Sequence, residues 1–290
     1  MDQLNLLVFG AGYSARAAID ALGADSIVAT TRSSEKANDL VAAGYSAHIF
    51  DGTAPTPAVR AAIAGATHVL VSIAPGPDGD PVLAHFAPDL LAAPSLRWIG
   101  YYSTIGVYGD AGGAWIDESA ATEPLSARNR HRLDAEAAWQ ALADEKSVSL
   151  AILRLAGIYG PGRSPFEKLR NGTARRINKP GQVFNRVHVA DIAAITALAA
   201  RVSLSGIFNL CDDEPAPPQD VIAHAAGLIG IRPPSEIAFE TADLSPMART
   251  FYAGNRRVSN ARIKAVLDYS LVYPTYREGL DAVMRWESAE

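Results

Sequence analysis

The sequence predicts an α/β protein, a doubly wound parallel sheet joined to a smaller mixed C-terminal lobe. Three observations predict it. Short continuous apolar runs alternate with alanine-rich segments through the first half, and parallel strands covered on both faces require runs of that kind. A glycine pattern closes the first run. After residue 155 the texture changes, and "NKPGQ", "DDEPAPP" and "RPPSE" break the apolar periods with Gly and Pro.

Taken in order, strands are expected at "LNLLVFG", "SIVATT", "SAHIF", "THVLVSIA", "LRWIGYYS" and "SLAILRLA". The stretches between them are long enough for crossover helices, so consecutive strands run parallel. "RVHVADIAAITALAA" and "GIFNLC" read as one more helix and strand returning to the first lobe. The expected boundaries are therefore 1–155 with 186–212 for the first domain, and 156–185 with 213–290 for the second lobe.

Composition narrows the function. At 290 residues, 49% of them hydrophobic, the chain has material for a large core. A net charge of -5 and the lack of any long Lys/Arg block give no field to gather phosphate backbones. Nucleic acid is not an expected partner. Cys211 is the single cysteine, which excludes an intrachain disulfide and zinc sites built on paired cysteines; the cytoplasm is the expected compartment. "MDQLNLLVFGAG" carries an acid where a secretion signal carries basic residues, and its apolar run stops at Gly10, too short for a signal or a span. A protein free of the membrane is expected. No His/Asp/Glu grouping shows metal-ligand spacing, so no metal is expected.

"VFGAGYSARAAI" sets Gly10, Gly12 and Ala15 as G-x-G-x-x-A between the first strand and a helix. Small residues there permit a tight turn, close approach of backbone to a pyrophosphate, and tight packing of helix on strand; the helix start offers free N–H groups. Tyr13 and Ser14 open that helix, and Ser72 and Ala74 follow the fourth strand; they complete the loop part of a candidate dinucleotide site. The competing reading is a tight turn that serves packing only.

Cofactor choice is written at the end of the second strand, where an acid binds the ribose 2'-hydroxyl of NAD. This chain reads "IVATTRSSEK", with Arg32 and Ser33 and no acid. Guanidinium and hydroxyl donors suit a 2'-phosphate, which an acid would repel. NADP is expected ahead of NAD. Asp51 in "HIFDG" either accepts a hydrogen bond from the adenine amino group or simply initiates a turn.

The glycine loop, "YYSTIGVYGD", "RLAGIYGPGR", "NRVHVADIA", "FNLCDDEP" and "SNARIKAVLDYSLVYPTYREGL" follow one another in a set order. On these stretches the chain resembles the extended short-chain dehydrogenase/reductase superfamily, in its NAD(P)-dependent epimerase/dehydratase branch, and looks most like its atypical members. The resemblance implies a Rossmann-like cofactor domain, a C-terminal substrate lobe and an active site in the cleft between them. It also implies a catalytic Ser or Thr after the fifth strand and a Tyr-x-x-x-Lys on the next helix. Thr104 takes the hydroxyl position. Arg128 stands where the tyrosine is expected, Arg132 where the lysine is, and Glu136 at a frequent acidic position. Arginine can keep the lysine's charge and ribose contact. It cannot keep the tyrosine's chemistry, because a guanidinium with pKa above about 12 exchanges no protons near neutrality. The family's habit of pairing through this helix implies a homodimer, with Trp139 either there or in the core. His188 and Asp191 match a turn that braces the two lobes.

Residues 128, 131, 132, 135, 139 and 142 share one helical face, apolar at one end and cationic at the other. Positive charge near a helix start opposes the dipole. Arg128, His131 and Arg132 are therefore read as lining a cleft that holds an anion, and Arg130 as a surface residue. The alternative is a solvated basic helix start paired with Asp134, Glu136 or Asp117. His131, Tyr108 and Tyr159 are the candidates to replace the missing tyrosine, while His68 reads as structural.

Three functions stay in view. The first is an oxidoreductase or epimerase/dehydratase-like enzyme acting on a polar, anionic small molecule. The second is a catalytically silent NADP-binding sensor or scaffold. The third is a structural module that binds no dinucleotide.

Overall fold

Leu7, Phe9, Val69, Val71, Ile99 and Tyr101 occupy alternate positions of three neighbouring strands and are at most 1% exposed. They form one core with Val59, Ile63, Val82, Phe86, Leu90, Trp139 and Leu142 from three helices, Pro57–Gly65, Pro81–Ala92 and Ala127–Lys146. The residues between them, Leu6, Val8 and Leu70, are equally buried. The sheet is thus covered on both faces, which is why the strands read as unbroken apolar runs.

The computed structural model describes residues 3 to 289; Met1, Asp2 (the acid of the N-terminal stretch) and Glu290 lie outside the described residues. The seven-stranded sheet runs Gly206–Leu210, Ser149–Leu155, Trp98–Thr104, His68–Val71, Asn5–Phe9, Ser26–Thr31, Ser46–Ile49. Parallel ladders join the five strands from Trp98–Thr104 to Ser46–Ile49. Strand order reverses between Asn5–Phe9 and His68–Val71. At such a switch point the loops after two adjacent strands leave in opposite directions and open a crevice.

The chain divides into two compact units. The first holds the residues up to Thr104, 127–154 and 192–208; the second holds 105–126, 155–191 and the residues from Asn209 onward. This differs from the sequence boundaries at Leu155, which joins the second unit, and at three longer stretches. Residues 105–126 group with the second unit because Trp115–Ile116 pairs in parallel with Arg257–Val258, and Ala111 and Gly113 both donate to the Asn255 carbonyl. Residues 186–191 go there because Arg186–His188 pairs with Gly157–Tyr159. Residues 209–212 follow because the Ala156 amide donates to Leu210 and the Asp212 amide to Arg186. None of these partners is near in sequence.

The second unit is mixed, with short parallel strand pairs and helices that include Pro218–Leu228 and Tyr276–Glu287 around a core of Phe166, Leu169, Ala225, Tyr276, Leu280 and Val283. Among the described residues, no helix is long and apolar enough to cross a membrane. No group of His, Cys, Asp or Glu among them is placed to hold a metal ion.

Candidate functional site

The glycine loop leaves the first strand at the switch point. The Gly10 amide donates to Thr30 Oγ1 at 3.0 Å and the Ala11 amide to the Thr30 carbonyl at 2.9 Å, so the second strand holds the turn from the side. Gly10 has φ +86° and packs on Ile73, where a β-carbon would meet Ile73 Cγ1 at 2.8 Å. A side chain would be strained there and blocked. Gly12 is different. It is the N-cap of helix Tyr13–Leu22, with φ −83°, no side-chain cap, and no atom within 4 Å of where its β-carbon would lie. The helix start therefore faces open space without a capping side chain, as an arriving phosphate requires. Ser14 and Ala15 are buried, Ala15 completely, which fits the third small position packing helix on strand.

At the second strand's end Arg32 is exposed and makes no hydrogen bond or ion pair with any described residue. Ser33 caps helix Ser34–Ala42, its Oγ accepting from the Lys36 amide at 3.4 Å; this uses an oxygen lone pair and leaves the hydroxyl proton to donate. An uncommitted guanidinium, a hydroxyl and a helix start thus share one corner. For Asp51 the structure supplies the turn: Oδ1 accepts from the Thr53 amide at 2.9 Å and its hydroxyl at 2.7 Å, and the hydroxyl bond holds its pKa below the usual carboxylate range. Ser72 follows the fourth strand, its amide on the Phe9 carbonyl at 2.9 Å, and Ala74 is exposed two residues on.

The catalytic candidates are distributed unevenly. Thr104 ends the fifth strand, half-buried. Arg132 is half-buried, and its Nη1 donates to the Tyr102 carbonyl at 2.9 Å, Tyr101 Oη at 3.1 Å and the Ile73 carbonyl at 3.3 Å. Ile73 thus touches both Gly10 and Arg132. Arg128 is exposed and His131 half-buried; neither bonds to a described residue. The expected cationic face is therefore divided, one cation bound into the protein and two outside that network. Two of the three expected acidic partners, Glu136 and Asp117, are engaged elsewhere, and Asp134 is exposed. Glu136 is buried against Arg154, whose Nη2 lies at 2.6 Å, and accepts from the Ser103 hydroxyl, while Asp117 accepts from Ser119. Trp139 is fully buried in the core.

The tyrosines weighed as substitutes are committed too. In the second unit Tyr108 donates to Asn209 Oδ1 at 2.7 Å, and Tyr159 to the Thr275 carbonyl at 3.3 Å, with burial pushing its pKa up. Asp191 accepts from the Tyr269 hydroxyl and the Val272 and Tyr273 amides. His188 is buried between the rings of Tyr159 and Tyr273, and burial lowers its pKa to about 4. His68 in the first unit is likewise buried and lowered to about 4, between Thr67 and the Ala200 carbonyl. Sequence reasoning missed Thr30, Ile73 and Tyr101, which hold the loop and Arg132; their spacing from those partners carries no local pattern.

No family model matches the chain. It is 26% identical over 223 residues to 3-diazoavenalumate denitrifying reductase from Streptomyces sp, an alignment that takes in 72% of this chain and 62% of the relative; the chain thus spans less than two thirds of that protein. It is 46% identical to a functionally unknown conserved protein from Silicibacter pomeroyi DSS, with a TM-score of 0.87 over 97% of this chain and 98% of the other. UDP-glucuronic acid 4-epimerase from Bacillus cereus, in complex with NAD, shares the fold at a TM-score of 0.75 and 17% identity over 98% of each chain. The chain belongs to one family with the Silicibacter pomeroyi protein, built on the Rossmann fold of the extended short-chain dehydrogenase/reductase and NAD-dependent epimerase/dehydratase proteins.

Proposed function

We propose that the protein is an NADP-dependent oxidoreductase or epimerase acting on a polar, anionic small molecule. The observation that carries this reading is the glycine loop: an uncapped helix start facing open space beside the Gly12 position, next to a strand end that bears Arg32 and Ser33. A bound nicotinamide supplies hydride transfer. The amides of the first turn of helix Tyr13–Leu22 take the pyrophosphate. Arg32 and Ser33 take the 2'-phosphate by charge-assisted hydrogen bonds. The neighbour of this fold solved with NAD supports a nicotinamide cofactor, and the missing acid after Thr31 turns the choice to NADP. Thr104 orients the substrate carbonyl, and the Arg132 guanidinium favours a substrate with negative charge. With Tyr108 and Tyr159 bonded inside the protein and Arg128 unable to exchange protons, His131 is assigned proton transfer.

A second reading, a catalytically silent NADP-binding sensor or scaffold, is favoured by one observation: no tyrosine among those weighed keeps a free hydroxyl. Turnover separates the two. NADPH oxidation is followed on a panel of anionic carbonyl compounds, 2-oxo acids and uronic acid derivatives among them. Turnover that falls at least tenfold (about 1.4 kcal/mol) in Thr104→Ala supports the enzyme. NADPH binding with no turnover on any compound supports the second reading.

A further inference from the structure

Four residues of the first unit meet in a continuous series. Asp80 caps helix Pro81–Ala92 through Oδ1, which accepts from the Val82 and Leu83 amides at 2.8 and 3.3 Å. Its other oxygen, Oδ2, accepts from Trp139 Nε1 at 3.0 Å. The Trp139 indole lies against the Tyr101 ring, centroids 6.1 Å apart. The Arg132 guanidinium sits over that ring at 5.5 Å and donates Nη1 to the Tyr101 hydroxyl. Asp80, Tyr101 and Trp139 are all buried, the last two completely. No described residue accepts from Arg132 Nε or Nη2.

Such an arrangement is costly unless it fixes something. A carboxylate, an indole N–H and a phenol are placed in a core that apolar residues would fill. What emerges at the open end is a guanidinium anchored by one nitrogen, with its remaining donors uncommitted. Arginine carries much rotamer entropy, so a pre-oriented fork binds an oxygen ligand better than a free one. Tyr101 is not itself an acid or base for the reaction, because its hydroxyl is enclosed and burial pushes its pKa up.

We propose that Asp80, Trp139 and Tyr101 are positioning residues that lock the Arg132 guanidinium between the end of strand His68–Val71 and the end of strand Trp98–Thr104, presenting its free nitrogens to an oxygen of the bound ligand. The ligand part of this inference rests on the dinucleotide reading above. The locking part does not.

Two measurements test it. In the first, NADPH dissociation constants are measured for wild type, Tyr101→Phe, Arg132→Ala and the double variant. Tyr101→Phe is expected to weaken binding roughly fivefold in the wild-type background and less than twofold with Arg132 removed, because its effect runs through Arg132. Equal weakening in both backgrounds, or none in either, overturns the positioning role. In the second, crystal structures of Tyr101→Phe and Trp139→Phe without nucleotide report the side chain directly. Arg132 is expected to leave the Ile73 and Tyr102 carbonyls or to split between rotamers. An Arg132 unmoved in both variants overturns the lock. If wild type binds no dinucleotide, the cofactor reading fails and the crystal structures still decide the lock.

Discussion

A β-carbon on Gly10 would lie 2.8 Å from Ile73 Cγ1 and 3.3 Å from the Ile73 amide nitrogen. Two strands that are adjacent in the sheet and far apart in sequence therefore approach at the point where the glycine loop turns. The backbone contact explains why the fold itself needs glycine at this position.

The two loop glycines separate stability from binding. Gly10→Ala forces a side chain into φ +86° and against Ile73, and is expected to lower stability by about 1–3 kcal/mol. Gly12→Ala meets nothing within 4 Å, so the melting temperature should hold while nucleotide affinity falls, the methyl occupying the space the pyrophosphate needs. Thermal melts beside NADPH titrations check both.

The Glu136–Arg154 pair, with both side chains 4% exposed, ties helix Ala127–Lys146 to strand Ser149–Leu155. Glu136→Gln leaves a buried guanidinium without its counter-charge, at a cost of about 3–5 kcal/mol. Replacing both residues with apolar ones of similar size costs less than that single change. Urea unfolding of the single and double variants measures the difference.

Falling pH should weaken the fold through its histidines and rising pH through Asp212. His68 and His188 are lowered to about 4 by burial, from an ordinary value of 6.5. The unfolded chain then binds more protons, so their contribution is complete above pH 6.5 and is lost as pH falls toward 4. Asp212 is opposite in sign: burial raises it from 3.8 to about 8, against the lowering effect of Arg186. The folded state holds the extra proton, and stability drops as pH rises through that interval. Asp212→Asn is expected to raise the melting temperature at pH 8 relative to wild type by more than it does at pH 5, a comparison that calorimetry at the two pH values makes directly.

The strands and the glycine turn after the first of them were legible in sequence because their determinants are local. Runs such as "SIVATT" became strand Ser26–Thr31 residue for residue, and Gly10, Gly12 and Ala15 stand where strand gives way to helix. The grouping of 105–126 was not legible, since it depends on Trp115–Ile116 meeting Arg257–Val258 some 140 positions on. The cationic face of helix Ala127–Lys146 was legible as a face, but not what each cation would meet. Arg132 turned into the strand ends while Arg128 stayed out, and only the position of Ile73, Tyr101 and Tyr102 decides that. Tyr108 and Tyr159 looked available for chemistry because Asn209 and Thr275, which take their hydroxyls, lie about a hundred residues away.

We propose that the uncapped helix start and Arg32 together hold NADP. Titration of wild type and Arg32→Ala with NADPH and NADH, followed by nicotinamide fluorescence, tests it most directly. NADPH is expected to bind wild type more tightly than NADH does, and to lose roughly tenfold or more in affinity, alone of the two, in Arg32→Ala, the size of one charge-assisted hydrogen bond to phosphate. Failure of wild type to bind either nucleotide would contradict it.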